Sequence, residues 1–255
     1  MRTGQAAAAA ALGAMMMFAA GVTARAAEIA VVSPPSLKPM LDELGPQFER
    51  TTGHKLAIKY ATSAVLKRQI DAGETFDAAL LVPASIDDLI KQGKIAADTR
   101  IDVARSAIGV AVRAGTAKPD VGSAEAFKRA MLAVNSVSFS GEGASGKYLT
   151  GLFDQLGIGA EMKPKLRPLP GAAVVEPVAK GEIDIAVITI ANIVGVAGVE
   201  LAGQLPPDLQ HYTVYTAGVA SAAKEAEGAK ALIRLLMAPE TTPLIKAKGM
   251  ERMAP

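Results

Sequence analysis

From Ser140 to Tyr148 the chain reads S-G-E-G-A-S-G-K-Y, a set of residue types and spacings that can hold an anion. Gly141, Gly143 and Gly146 fit G-x-G-x-x-G, and Gly141 to Lys147 fit the opening of the G-x-x-x-x-G-K-[ST] phosphate loop. The last place of that loop needs a small hydroxyl able to ligate magnesium; here it is Tyr148, too long and differently directed. A nucleotide is therefore not required, but a glycine-rich turn opening a helix still offers backbone N–H groups at the positive end of a helix dipole. Three more segments share that chemistry: Ser33-Pro-Pro-Ser36, Ala61-Thr-Ser63 and Pro170-Gly171-Ala-Ala173. Singly, a Ser or Thr at a helix start caps the helix and a glycine permits positive φ. Together the four describe an anion cradle that carries no formal charge.

Other chemistries are less well supplied. Ser145, His211 and Asp184 provide the residue types of a serine hydrolase, but no G-x-S-x-G surrounds any serine, since Ser145 is followed directly by Gly146 and Lys147. His54 and His211 are the only histidines and have no metal-ligand spacing. No catalytic residue, cofactor or resident metal is expected, and the chain reads as a binding protein rather than an enzyme. Glu142 and Lys147 read as solvated surface charges.

The elements that must position these loops alternate between short apolar runs and helix-like stretches. Strands are expected at 28–33, 54–60 and 77–82. They alternate with helices at about 37–52, from Thr62 or Ser63 through Ala72, and at 84–92, with Ser36 as the first N-cap. After a longer run at 106–113 the pattern restarts with helix 123–133, strand 136–140, helix 145–156, strand 165–169, helix 172–180 and strand 184–188. A run at 212–219 follows, and a helix at 226–237 is expected to close the chain. Repeated β-then-α units imply an α/β fold with mainly parallel sheets covered on both faces. Two lobes, 27–106 with 217–255 and 107–216, would be joined by hinge crossings near 106–113 and 212–219. In such sheets ligands sit beyond the carboxyl ends of the strands, where all four loops fall.

The N-terminus sets the compartment. Arg2, an uncharged stretch from Ala6 to Gly21, and the small-x-small pair Ala24 and Ala26 read as a secretory signal peptide over residues 1–26. Its removal leaves about 229 residues, with Lys plus Arg and Asp plus Glu in balance. The basic balance of the full chain thus belongs to the leader, and nothing favours nucleic acid or an anionic membrane as partner. A periplasmic location is expected, where nucleotide cofactors are scarce. The absence of cysteine excludes disulfides, thiolate metal sites and a lipoprotein anchor. With no Trp and four Tyr, a sugar-stacking surface is not expected.

The residues also carry a family resemblance. Ser36-Leu37 follows the first strand; Tyr60-Ala-Thr-Ser63-Ala-Val-Leu66-Lys-Arg68-Gln69-Ile70-Asp-Ala-Gly73 precedes Phe76-Asp77; and Lys180-Gly181-Glu182 precedes the strand from Asp184 to Ile188. This arrangement resembles the periplasmic molybdate-binding proteins of ABC importers, type II periplasmic substrate-binding proteins, over nearly the whole mature chain and best from Ala61 to Asp77. The resemblance implies a monomeric, hinged, two-lobed protein that traps a small oxyanion through neutral donors and delivers it to an ABC permease in the inner membrane. By that comparison Ser36 and Ser63 are first-lobe ligand positions, and Ser145 and Gly171 lie where the family presents backbone amides. Thr189 stands where the family commonly has a ligand-binding tyrosine, which implies a larger pocket or a different ligand. A small organic acid, or a sensor with the same fold, is the alternative, and a secreted serine hydrolase is a minor one.

Overall fold

The computed structural model describes residues 26–253, so the expected signal peptide lies outside the described residues except for Ala26. The first lobe is built from β1 (Glu28–Ser33), α1 (Lys38–Thr52), β2 (Lys55–Tyr60), α2 (Ser63–Asp71), β3 (Ala78–Leu81) and α3 (Pro83–Lys91). Strand β4 (Ile101–Arg113) leads out of it into α4 (Ala124–Ala133), β5 (Val137–Ser140), α5 (Ala144–Gln155), α6 (Gly159–Met162) and β6 (Leu166–Leu169). The chain continues through α7 (Glu176–Lys180), β7 (Ile185–Thr189) and β8 (Val199–Gln204), then returns by β9 (Tyr212–Val219) to α8 (Ala226–Met237), α9 (Thr242–Ala247) and β10 (Glu251–Arg252).

The strands order as β2-β1-β3-β9-β4-β7-β5-β6, with β8 and β10 also pairing β4. Within each lobe the βα units pair in parallel, β1 with β2 and β3, and β5 with β6 and β7. Both long strands run antiparallel to their neighbours. Each lobe buries apolar side chains on both faces of its sheet, as expected for parallel strands flanked by helices. In the first lobe Leu41, Phe48, Leu232 and Leu236 pack on one face and Leu66, Ile70, Ile86 and Leu89 on the other. In the second, Phe127, Leu149, Leu152 and Phe153 oppose Val174, Val175 and Val178. The two-lobed α/β architecture is the one the sequence implied.

Strand β4 joins the lobes by changing partners. Residues Ile101 to Ala107 pair with β9, and Ile108 to Val112 pair with β7. At that changeover the Gln210 side chain completes the ladder: its Oε1 accepts from the Ile108 N–H at 2.8 Å, and its Nε2 donates to the Ile108 and Leu205 carbonyls. Ser106, buried beside it, donates to the Gly249 carbonyl at 2.9 Å and accepts from the Ala191 N–H at 3.1 Å, tying one lobe to the other. Buried Asp77 accepts from the N–H groups of Ala30, Lys224 and Glu225, fastening β1 to the start of α8.

Local differences from the expected elements have physical causes. Ser36 is not an N-cap: Pro34 and Pro35 force a 3-10 turn over Pro35–Leu37, and α1 starts after it without a side-chain cap. The expected helix 172–180 is two pieces, a 3-10 turn over Gly171–Val174 and α7, divided before Pro177. The chain does not close with α8, because Pro239 starts a turn that leads into α9 and β10. Strand β8 was not expected; its run Val-Glu-Leu-Ala-Gly-Gln is weakly apolar and gains its place from pairing with β4.

Candidate ligand-binding cleft

The five residues singled out by the sequence converge. Ser36 follows β1, Ser63 opens α2 after β2, Ser145 lies in the first turn of α5 after β5, Gly171 follows β6 and Thr189 ends β7. All five line one cavity of about 280 Å³ between the lobes. Each sits at the carboxyl end of its strand, where parallel sheets place ligands.

Hydrogen bonds to the backbone set what these hydroxyls present. Ser63 Oγ accepts from the Val82 N–H at 3.1 Å, and Thr189 Oγ1 accepts from Asn192 Nδ2 at 2.6 Å, so both keep their protons to donate into the cavity. The N-cap of α2 is Thr62, whose Oγ1 accepts from the Val65 N–H. Helix α5 starts differently, because its N-cap is Gly143 and no side chain caps it. Its first-turn N–H groups therefore point towards the cavity at the positive end of the dipole.

The glycines of the opening loop serve close approach and not positive φ, since Gly143 has φ −78°. A Cβ on Gly146 would collide with the Ser140 carbonyl oxygen, and one on Gly143 would collide with the Ser140 side chain. They let α5 start tight against the end of β5. Gly171 meets the opposite lobe: a Cβ there would lie 3.3 Å from Pro35 Cγ and 3.5 Å from Thr62 Cγ2. Glu142, at the cavity rim, is paired with Arg68 of α2 at 3.0 Å, a second contact across the cleft. Lys147 lines the same rim.

Strand β9 adds residues that sequence reasoning passed over. Thr213 and Tyr215 both line the cavity and are almost completely buried. Burial pushes the Tyr215 phenol pKa up, opposed by hydrogen bonding with Ser36 and Thr189. A tyrosine hydroxyl thus stands beside Thr189 although position 189 itself has none. The available signal was the alternation Tyr212-Thr213-Val214-Tyr215, which turns Thr213 and Tyr215 to one face of a strand otherwise read as a hinge.

The residue types of a serine hydrolase do not assemble. Asp184 precedes β7, at the opposite end from Thr189, and its carboxylate accepts from the N–H groups of Asn135 and Ser136. His211 is exposed and stacks on Tyr148, ring centroids 4.6 Å apart. Among the described residues no cluster of His, Cys, Asp or Glu could hold a metal ion, and no helix is long and apolar enough to cross a membrane. A larger opening of about 680 Å³ lies between α1, α7 and α9, but its charges pair locally, Lys38 with Asp42, Lys180 with Glu176 and Lys248 with Glu43.

Known proteins give the cleft a context. The family described as bacterial extracellular solute-binding protein matches residues 29–251. An aconitate isomerase from a Pseudomonas species is 30% identical over 229 residues, covering 88% of this chain and 87% of its own. The periplasmic molybdate-binding protein of Azotobacter vinelandii superposes with a TM-score of 0.75 at 20% identity, covering 89% of this chain and 99% of its own. The sulfate-binding protein SubI of Mycobacterium tuberculosis superposes with a TM-score of 0.72 at 18% identity, covering 90% and 88%.

Proposed function

This chain belongs to the bacterial extracellular solute-binding proteins, and on that premise we propose that it traps a small anion between its lobes through neutral donors and passes it to an ABC permease in the inner membrane. The protein works in the periplasm, as a monomer, after removal of residues 1–26. Its ligand contacts are Ser36, Ser63, Ser145, Gly171 and Thr189. One lobe comprises 27–106 with 217–255 and the other 107–216; the pairing of Thr213 with Ser106 supports moving the return crossing back towards Gln210. Ligand binds one lobe first, and closure completes the donor shell from the other.

The observation that carries this reading is the convergence of hydroxyls and helix-start amides from both lobes on one cavity. Such a shell favours a fully ionised anion, because it holds few acceptors for a proton on the ligand. A molybdate- or tungstate-like oxyanion meets that requirement. A small organic acid meets it too, and the cavity of about 280 Å³ favours the acid. At roughly 30 Å³ per water-sized group a tetrahedral oxyanion takes about half of that space, whereas a small dicarboxylate takes most of it. Thr189 in place of a tyrosine supports the same choice.

Thermal shift and calorimetry of the chain from Ala27 against molybdate, tungstate, sulfate, citrate, succinate and the aconitate isomers test the reading. Ligand at about a thousand times its dissociation constant adds roughly 4 kcal/mol of stability. A shift with a carboxylate and none with the metal oxyanions establishes an organic-acid binder; the reverse establishes an oxyanion binder. No shift with any of them removes the anion-binding reading.

A second reading is carried by the likeness to an aconitate isomerase. In it the bound acid is also converted, which requires a group in the cavity able to move a proton. Glu142, Lys147 and Tyr215 are the titratable side chains among the lining residues. Incubating the protein with either aconitate isomer and following the vinyl proton by NMR separates the two: a binder leaves the isomer unchanged, whereas an isomerase carries it to equilibrium. His211→Ala should leave either outcome as it is.

A further inference from the structure

We propose that Thr213, on the strand that returns through the hinge, is a ligand contact and a determinant of specificity. The inference rests on the anion-binding reading above and adds a third wall to the site, beyond the loops of the two lobes.

Three observations carry it. Thr213 is 6% exposed, lines the cavity between the lobes, and among the described residues its Oγ1 has no hydrogen-bond partner. A buried hydroxyl without a partner costs stability, so retaining one at a cavity wall needs a compensating bond made elsewhere in the working cycle. Two neighbouring hydroxyls are oriented by protein donors: Ser63 Oγ accepts from the Val82 N–H and Thr189 Oγ1 from Asn192 Nδ2. No protein partner fixes the Thr213 hydroxyl, which is buried and able to turn towards a ligand oxygen.

Its position gives the contact a mechanical consequence. Thr213 pairs in register with Ser106, the residue that holds Gly249 of one lobe and Ala191 of the other. A ligand oxygen bonded to Thr213 is anchored on the strand about which the lobes move, so closure brings both lobes onto a ligand already seated at the hinge. A ligand too short to reach from the helix starts to β9 leaves this hydroxyl unsatisfied and loses the contact.

Thr213→Val replaces the hydroxyl by a methyl group of the same shape. The expected result is a pair of opposite effects: a ligand-free melting temperature equal to or above that of the parent, and an affinity for the tightest-binding anion of the panel lowered about 10- to 100-fold. Thr213→Ser keeps the hydroxyl, and its affinity should stay within about threefold of the parent, which separates loss of the donor from disturbance of the strand. If the parent binds an anion and Thr213→Val binds it equally well, the contact is refuted and the anion-binding reading stands. If the parent binds none of the panel, both fall together.

Discussion

The helices α2 and α5 flank the same cleft from opposite lobes and solve the problem of their exposed first turn in different ways. In α2 the Thr62 hydroxyl caps the helix and Ser63 Oγ is held by the Val82 N–H, so the lobe presents an oriented side-chain hydroxyl. In α5 the cap is a glycine, and the helix starts pressed against Ser140, so the lobe presents backbone amides. A hydroxyl depends on its own residue and its holder, whereas an amide depends only on where the helix begins. The first arrangement is therefore sensitive to side-chain changes, the second to anything that shifts the backbone.

The most damaging test of that contrast is Gly146→Ala. The added Cβ collides with the Ser140 carbonyl, so α5 must move off β5; the expected cost is about 3 kcal/mol in chemical denaturation, with loss of ligand binding. Next in size is a pair of serine deletions. Ser63→Ala removes a donor and leaves the Val82 N–H unpaired, lowering affinity about 10- to 100-fold and stability by about 1–2 kcal/mol. Ser145→Ala, where the amide remains, should change affinity less than about threefold by calorimetry. Equal losses at the two serines would erase the distinction between the lobes.

A smaller effect comes with pH. The Tyr215 phenol pKa is raised above the unfolded value of about 10 by burial, so the stabilisation is complete below pH ~10 and is lost as pH rises through the folded pKa. Tyr215→Phe should flatten the alkaline fall of the melting temperature, and a profile identical to the parent's would remove the phenol as its cause. The smallest effect is expected of the bridge across the cleft from α2 to the glycine-rich loop, Arg68 with Glu142. Both side chains are more than half exposed, so Glu142→Gln should weaken binding by less than about threefold at low salt and not measurably at 1 M.

Much of this was legible along the chain. The short apolar runs of β1, β3, β5 and β7 marked the strands, because a strand buried on both faces has few other ways to be written. The loops of Ser36, Ser63, Ser145 and Gly171 could be picked out because a segment just after a parallel strand has a known place in the fold, whereas the choice of those residues and of Thr189 came from the resemblance to the molybdate-binding proteins. Less legible were the features that depend on a distant segment. The reason for Gly146 lies in the carbonyl of Ser140, the reason for Gly171 lies in Pro35 and Thr62, and the role of Gln210 lies at Ile108.

Residue order by itself determined the βα alternation, the two lobes and the loops that end each strand, since these follow from local periodicity and from the rule for parallel strands. Tertiary structure alone decided that those loops share one cavity, that α5 starts without a side-chain cap whereas Thr62 caps α2, and that Thr213 and Tyr215 face the cavity from the hinge. The physical reason is that hydrogen-bond satisfaction is a property of pairs brought together by folding: Thr213 reads as an ordinary strand residue until its neighbours are in place and its hydroxyl is left over.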